Sequence, residues 1–84
     1  MFIKNNINNL FGTDDFFDTL RNNLPAIFTR EEASRCMGRL LSAKTLANMD
    51  AANIGPYRKM KVGKKVCYER DSFISWLKTK LHRY

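Results

Sequence analysis

The sequence predicts a small α+β fold, mainly helical with one β-hairpin, and three observations carry that expectation. Apolar residues recur at three- and four-residue spacing in stretches that follow Thr13, Thr29, Ser42 and Arg70. Gly12, Pro25, Gly38 and the Gly55-Pro56 pair separate those stretches. From Met60 to Tyr68 the spacing changes to every second residue on each side of a Gly-Lys-Lys turn, as two short strands require.

The first twelve residues are rich in asparagine, with Ile3, Ile7, Leu10 and Phe11 at helix spacing. That pattern admits a frayed helix or an arm that orders against a partner. Thr13 is a good N-cap for a helix from about Asp14 to Asn23, with Asp14 and Asp15 favourable at its positive end. Phe16, Phe17, Leu20 and Leu24 form its apolar stripe, and Pro25 follows the stop. The domain that follows looks complete without this helix. Residues 1–26 are therefore expected to be an extension, with the stripe as a homo-oligomer contact, and residues 27–84 the domain proper.

In FTREEASRCM, Thr29 and Glu32 have the spacing of a capping box, and Phe28 can staple against Ala33. Ala33, Cys36 and Met37 supply the buried stripe of this short helix, and Gly38 ends it. Ser42 caps the next helix, in which Leu46 and Met49 face inward with Ser42 and Asn53. At 100° per residue, Lys44, Ala47, Asn48 and Ala51 face outward. Two short helices joined by a tight glycine-containing turn make a helix-turn-helix pattern.

Met60, Val62, Val66 and Tyr68 read as inward positions of the hairpin. A three-residue connection, Gly63-Lys64-Lys65, would pair Val62 with Val66 and Met60 with Tyr68, which keeps apolar residues on one face. Arg58, Lys59, Lys61, Lys64 and Lys65 then decorate its tip and outer side. The final helix starts near Asp71 and Ser72, with Phe73, Trp76, Leu77 and Leu81 facing in.

Charge narrows the function. The 84 residues carry a formal net charge of +7. Residues 1–28 hold two basic and three acidic side chains and residues 29–84 hold thirteen and five, or −1 against +8. Such concentration points to a polyanion, with nucleic acid ahead of anionic membrane. No apolar run approaches the roughly 20 residues of a membrane span, and MFIKNNINNLFGTDD lacks the features of a signal peptide, so a cytoplasmic protein is expected. Cys36, Cys67 and the single His82 match no metal-ligand spacing, and no clustered titratable set suggests catalysis. Neither enzyme activity, metal nor cofactor is expected.

The run LSAKTLANMDAANIGPYRKMKVGKKVCYERDSFISWL resembles the excisionase-like, MerR-type winged helix-turn-helix DNA-binding domains. Their pattern is a helix reading S-x-K/R-T-L-x-N, a Gly-Pro stop, a K-V-G-K/R turn, V-x-Y, D-L and W-L. Ser42, Lys44, Thr45, Leu46, Asn48, Gly55, Pro56, Val62, Gly63, Val66, Tyr68, Asp71, Trp76 and Leu77 supply it here, and the likeness spans residues 27–81. Asn53 stands where the family usually has glycine, and Phe73 where it has Leu. Asn tolerates the left-handed backbone that ends such a helix.

The resemblance implies a bacterial or phage-encoded, nucleoid-associated protein that binds double-stranded DNA. Helix 42–52 would read the major groove, and hairpin 57–68 would lie on the backbone or in the adjacent minor groove. Lys44 and Asn48 are then the base readers, suited to guanine O6/N7 and adenine N6/N7, with Ala47 and Ala51 small enough for close approach. Ser42, Ala43 and Thr45, together with Arg30, Arg35, Arg39 and the five hairpin cations, are the backbone contacts. The family offers excision beside an integrase or recombinase, or transcription regulation. A DNA-packaging or nucleoprotein-assembly subunit with a winged helix is the alternative. Tyr68 and Trp76 are expected in the core under the hairpin rather than as base-stacking platforms.

Overall fold

A computed structural model describes residues 13–80. In chain order the elements are α1 (Thr13–Asn23), β1 (Ile27–Thr29), α2 (Arg30–Cys36), α3 (Ala43–Ala51), β2 (Lys59–Val62), β3 (Lys65–Glu69) and α4 (Arg70–Lys78). The described residues thus form a mainly helical α+β structure with a small antiparallel sheet, the expected class. Ile3, Ile7, Leu10, Phe11, Leu81 and His82 lie outside the described residues.

The helix starts follow from local chemistry. Thr29 Oγ1 accepts from the Glu32 amide at 3.2 Å, and the Thr29 amide donates to Glu32 Oε1 at 2.9 Å. Both halves of the capping box are therefore present. Ser42 Oγ accepts from the Thr45 amide at 3.0 Å and starts α3. Asn53 has φ +62°, so it takes the left-handed conformation expected of a glycine substitute after α3. The α4 cap was not expected: Glu69 accepts from the Asp71 and Ser72 amides at 3.0 and 2.9 Å.

Two features of the sheet depart from the sequence reading. The hairpin is joined by a third strand, β1, in the order β1-β3-β2, with Phe28 opposite Tyr68. Three residues ahead of a capping box carry too little periodicity to announce a strand. Phe28 does have the inward role expected of it, since it and Ala33 are both buried in the core.

The hairpin register also differs. Val62 pairs with Lys65, Lys61 with Val66, Met60 with Cys67 and Lys59 with Tyr68. The connection is therefore the two-residue Gly63-Lys64, not the three-residue loop. Gly63 has φ +64° and Lys64 does not share that sign, the II′ pattern with glycine at the first central position. Segregation of apolar residues could not oppose this turn, because β2 is exposed along its whole length. Met60 and Val62 are 71% and 63% exposed, so neither faces inward. Of the two hairpin strands, β3 alone contributes to the core, through buried Tyr68 and partly buried Val66.

The largest correction concerns α1. Phe17, Leu20 and Leu24 belong to the same buried cluster as Phe28, Ala33, Met37, Leu46, Tyr68, Phe73, Ile74, Trp76 and Leu77. α1 packs along α4, where Lys78 Nζ lies 5.4 Å from the Phe17 ring centre and Arg21 pairs with Asp71. The Arg70 amide donates to Ala26 O at 2.9 Å and ties the following linker to the start of α4. Residue 26 therefore does not divide two units of core. Three of the four residues assigned to an oligomer contact are consumed inside the fold, and Phe16 alone stays about half exposed.

Phe28, Tyr68, Phe73 and Trp76 make a continuous aromatic cluster, with neighbouring centroids 5.1–6.2 Å apart. Trp76 Nε1 also donates to Ile54 O at 2.8 Å, which anchors the chain leaving α3. Both Tyr68 and Trp76 are core residues, as expected.

Candidate nucleic-acid interface

The inward face of α3 is set by Leu46, which is fully buried, and by Met49, packed against the core. With those positions inside, Lys44, Asn48 and Ala51 are exposed and Ala47 is partly so. The expected outward face of this helix is therefore exposed. Ser42 and Asn53, expected inward with Leu46 and Met49, are exposed as well because they lie at the helix ends. Ser42 Oγ donates to Thr45 Oγ1 at 2.9 Å while capping α3, so the two hydroxyls form a linked pair at the helix start.

A cleft of about 320 Å³ separates the first half of α3 from the hairpin turn. It draws Arg30, Lys44, Lys64 and Lys65 together around the small walls of Ala43, Ala47 and Val66, with Glu31 the single carboxylate beside them among the described residues. Arg35 and Arg39 sit at the end of α2 and in its following turn, exposed but away from this cleft. Arg58, Lys59 and Lys61 also lie outside it. The predicted backbone contacts thus split into a group around one cleft and a group spread along the surface.

Some of these cations are already engaged. Arg58 lies 4.0 Å from Glu69, and Lys59 Nζ donates to Pro56 O at 3.3 Å and lies 3.9 Å from Asp50 Oδ1. Arg30 donates through Nη2 to Asp50 Oδ2 at 2.7 Å, and through Nε to Tyr68 Oη at 3.0 Å. Tyr68 Oη in turn donates to Asp50 Oδ2 at 2.6 Å. Lys44, Lys61, Lys64, Lys65, Arg35 and Arg39 have no carboxylate partner among the described residues.

The Asp50 carboxylate is the hub that the sequence reading missed. Its side chain is only 6% exposed, and it joins the end of α3 to the start of α2, to β3 and to β2. Gly55 lies against it: a Cβ there would overlap Asp50 Oδ1, so the glycine makes room for the carboxylate. Asp50 is the single acidic residue between Glu32 and Glu69. A lone carboxylate in so basic a stretch was the available signal. Burial, followed by the hydrogen bond to Asp50, pushes the Tyr68 hydroxyl well above the usual tyrosine value of 10.0. Burial pulls the Arg30 guanidinium down, but its hydrogen bonds to Asp50 and Tyr68 leave it raised.

Asp50→Ala leaves Arg30 and Tyr68 with polar groups in a partly buried site. It is expected to cost about 2–4 kcal/mol, somewhat below a fully buried pair because Arg30 retains solvent contact. In a thermal melt this is a drop of roughly 10–20 °C.

Tyr68 supplies a second check. Because the folded state holds its proton more tightly, its contribution is complete below the ordinary value of 10.0 and is lost as pH rises above it. Denaturant melts above that pH should show falling stability, and Tyr68→Phe should flatten the slope. An unchanged slope in that variant would assign the alkaline loss to other groups.

No known protein family, curated protein or solved structure matches the chain. No helix among the described residues is long and apolar enough to cross a membrane.

Proposed function

We propose that this is a sequence-specific double-stranded DNA-binding protein of the winged helix-turn-helix type. In this reading α2 and α3 are the helix-turn-helix, α3 enters the major groove, and the β2–β3 hairpin is the wing. One observation carries it. Lys44 and Ala47, on the same face of α3 as exposed Asn48, line the same cleft as the hairpin lysines Lys64 and Lys65. A helix with small residues beside a long cation and an amide suits close approach to base edges. Flanking cations without carboxylate partners suit phosphates. The resemblance to excisionase-like domains adds two roles, excision beside a recombinase or control of transcription. A neighbouring integrase gene would identify the first and an operator in a divergent promoter the second.

Selection of bound sequences from random duplex DNA tests the reading directly. A single enriched motif is expected, and recovery of unrelated sequences would overturn specific readout. With that site in hand, Asn48→Ala is expected to cost about 1–3 kcal/mol there and to relax preference at one base position. Lys64→Ala should weaken preferred and scrambled duplexes nearly equally and lower the salt slope by about one. Equal weakening of both duplexes by Asn48→Ala would remove α3 from the role of reader. Both residues are exposed, so their melts should stay close to that of the unaltered chain.

A further inference from the structure

We propose that the cleft between the start of α3 and the hairpin turn seats one backbone phosphate of the duplex, shared by Lys44 and Lys64. This rests on the DNA-binding reading above, and it reassigns Lys44 from reading a base to gripping the backbone.

Four cations line the cleft against the one carboxylate of Glu31. Lys44 comes from α3 and Lys64 from the hairpin turn, and neither has a carboxylate partner among the described residues. Like charges held at one site repel, and an anion placed between them relieves the repulsion. Arg30 is oriented in advance, because Nε and Nη2 are bonded to Tyr68 and Asp50 while Nη1 carries two further N–H donors. Its guanidinium is therefore held in place with its charge balanced by Asp50, and the unpaired charge at the cleft comes from Lys44, Lys64 and Lys65.

The start of α3 adds to the same field. Its first-turn amides at Ala43 and Lys44 precede the Leu46 amide, which donates to Ser42 O at 3.0 Å. The Thr45 amide is already taken by Ser42. Two N–H groups at the positive end of a nine-residue helix thus accompany Lys44. Ala43, Ala47 and Val66 offer no competing polar groups and leave space for a sugar–phosphate strand. Asn48 and Ala51 do not line the cleft. They keep the outward face for base edges while Lys44 turns to the strand that the hairpin also meets.

The test measures binding of the full chain to the selected duplex and to a scrambled one across a salt series. It uses Lys44→Ala, Lys64→Ala and the double variant, each confirmed folded by its melt. Lys44→Ala is expected to weaken both duplexes by the same factor and to lower the salt slope. The double variant should lose less than the product of the two single losses, because both lysines serve one phosphate. If Lys44→Ala instead relaxes preference at one base pair with an unchanged slope, Lys44 is a base reader and the seat is wrong. Multiplicative losses would mean two separate phosphates and would also overturn the shared seat. Absence of salt-dependent duplex binding by the unaltered chain would instead sink the DNA-binding reading itself.

Inorganic phosphate against chloride at matched ionic strength separates a duplex phosphate from a free one. Weak binding, displaced by duplex, is expected at the amides of Ala43, Lys44 and Lys64 in NMR spectra. Tight phosphate binding that duplex does not displace would overturn the assignment to a DNA backbone.

Discussion

A chain lacking residues 1–24 is expected to lose its cooperative thermal transition. Phe17, Leu20 and Leu24 are 5%, 7% and 3% exposed and sit in the one core cluster. Burying three such side chains is worth about 5–9 kcal/mol in all. The whole stability of a domain this size is roughly 4–13 kcal/mol. Removing α1 would also uncover the side of α4 against which it packs. The point variant Leu20→Ala should cost about 2–5 kcal/mol. Phe16→Ala, at a half-exposed position, should cost little. Circular dichroism melts of the three chains decide the matter. A sharp transition in the truncated chain would make α1 an appendage after all.

Duplex affinity should fall about 10²- to 10³-fold between roughly 50 and 200 mM salt. Arg35, Arg39, Lys44, Lys61, Lys64 and Lys65 have no carboxylate partner among the described residues, whereas Arg30, Arg58 and Lys59 lie within 4.0 Å of one. If about four to six phosphates are met, the log–log slope is roughly −3.5 to −5.5, near −0.9 for each. Fluorescence anisotropy on a labelled duplex across the salt series measures it. A slope near zero would remove DNA as the partner, whatever the fold. Anionic vesicles provide the matching control, since a basic surface also attracts membranes.

The two expectations lie on different links of the same chain of cause. The first concerns packing, where apolar area outweighs every polar contact of α1. The second concerns charge that folding leaves without a partner. The Asp50 hub connects them, because it consumes Arg30 and engages Lys59 while fixing how α3 faces the hairpin. A carboxylate that reduces the free positive charge can thereby improve its arrangement.

Features that depend on residues within a turn of one another are legible in the order of the amino acids. The Thr29–Glu32 box, the Ser42 cap, the left-handed Asn53 and the outward set Lys44, Asn48 and Ala51 all follow from spacing of four residues or fewer along a helix. Local hydrogen bonds and helical periodicity compete with little else there. Contacts between distant segments set the rest. Phe28 became a strand residue by meeting Tyr68, and Asp50 became a hub by meeting Arg30 and Tyr68 across 20 and 18 residues of chain. The hairpin register followed the Gly63 turn because β2 hangs clear of the core and no buried face opposed it. The stripe on α1 was legible as apolar, but which surface would cover it was not. A stripe specifies only that something must exclude water from it; the surface that does so is set by the packing of distant segments.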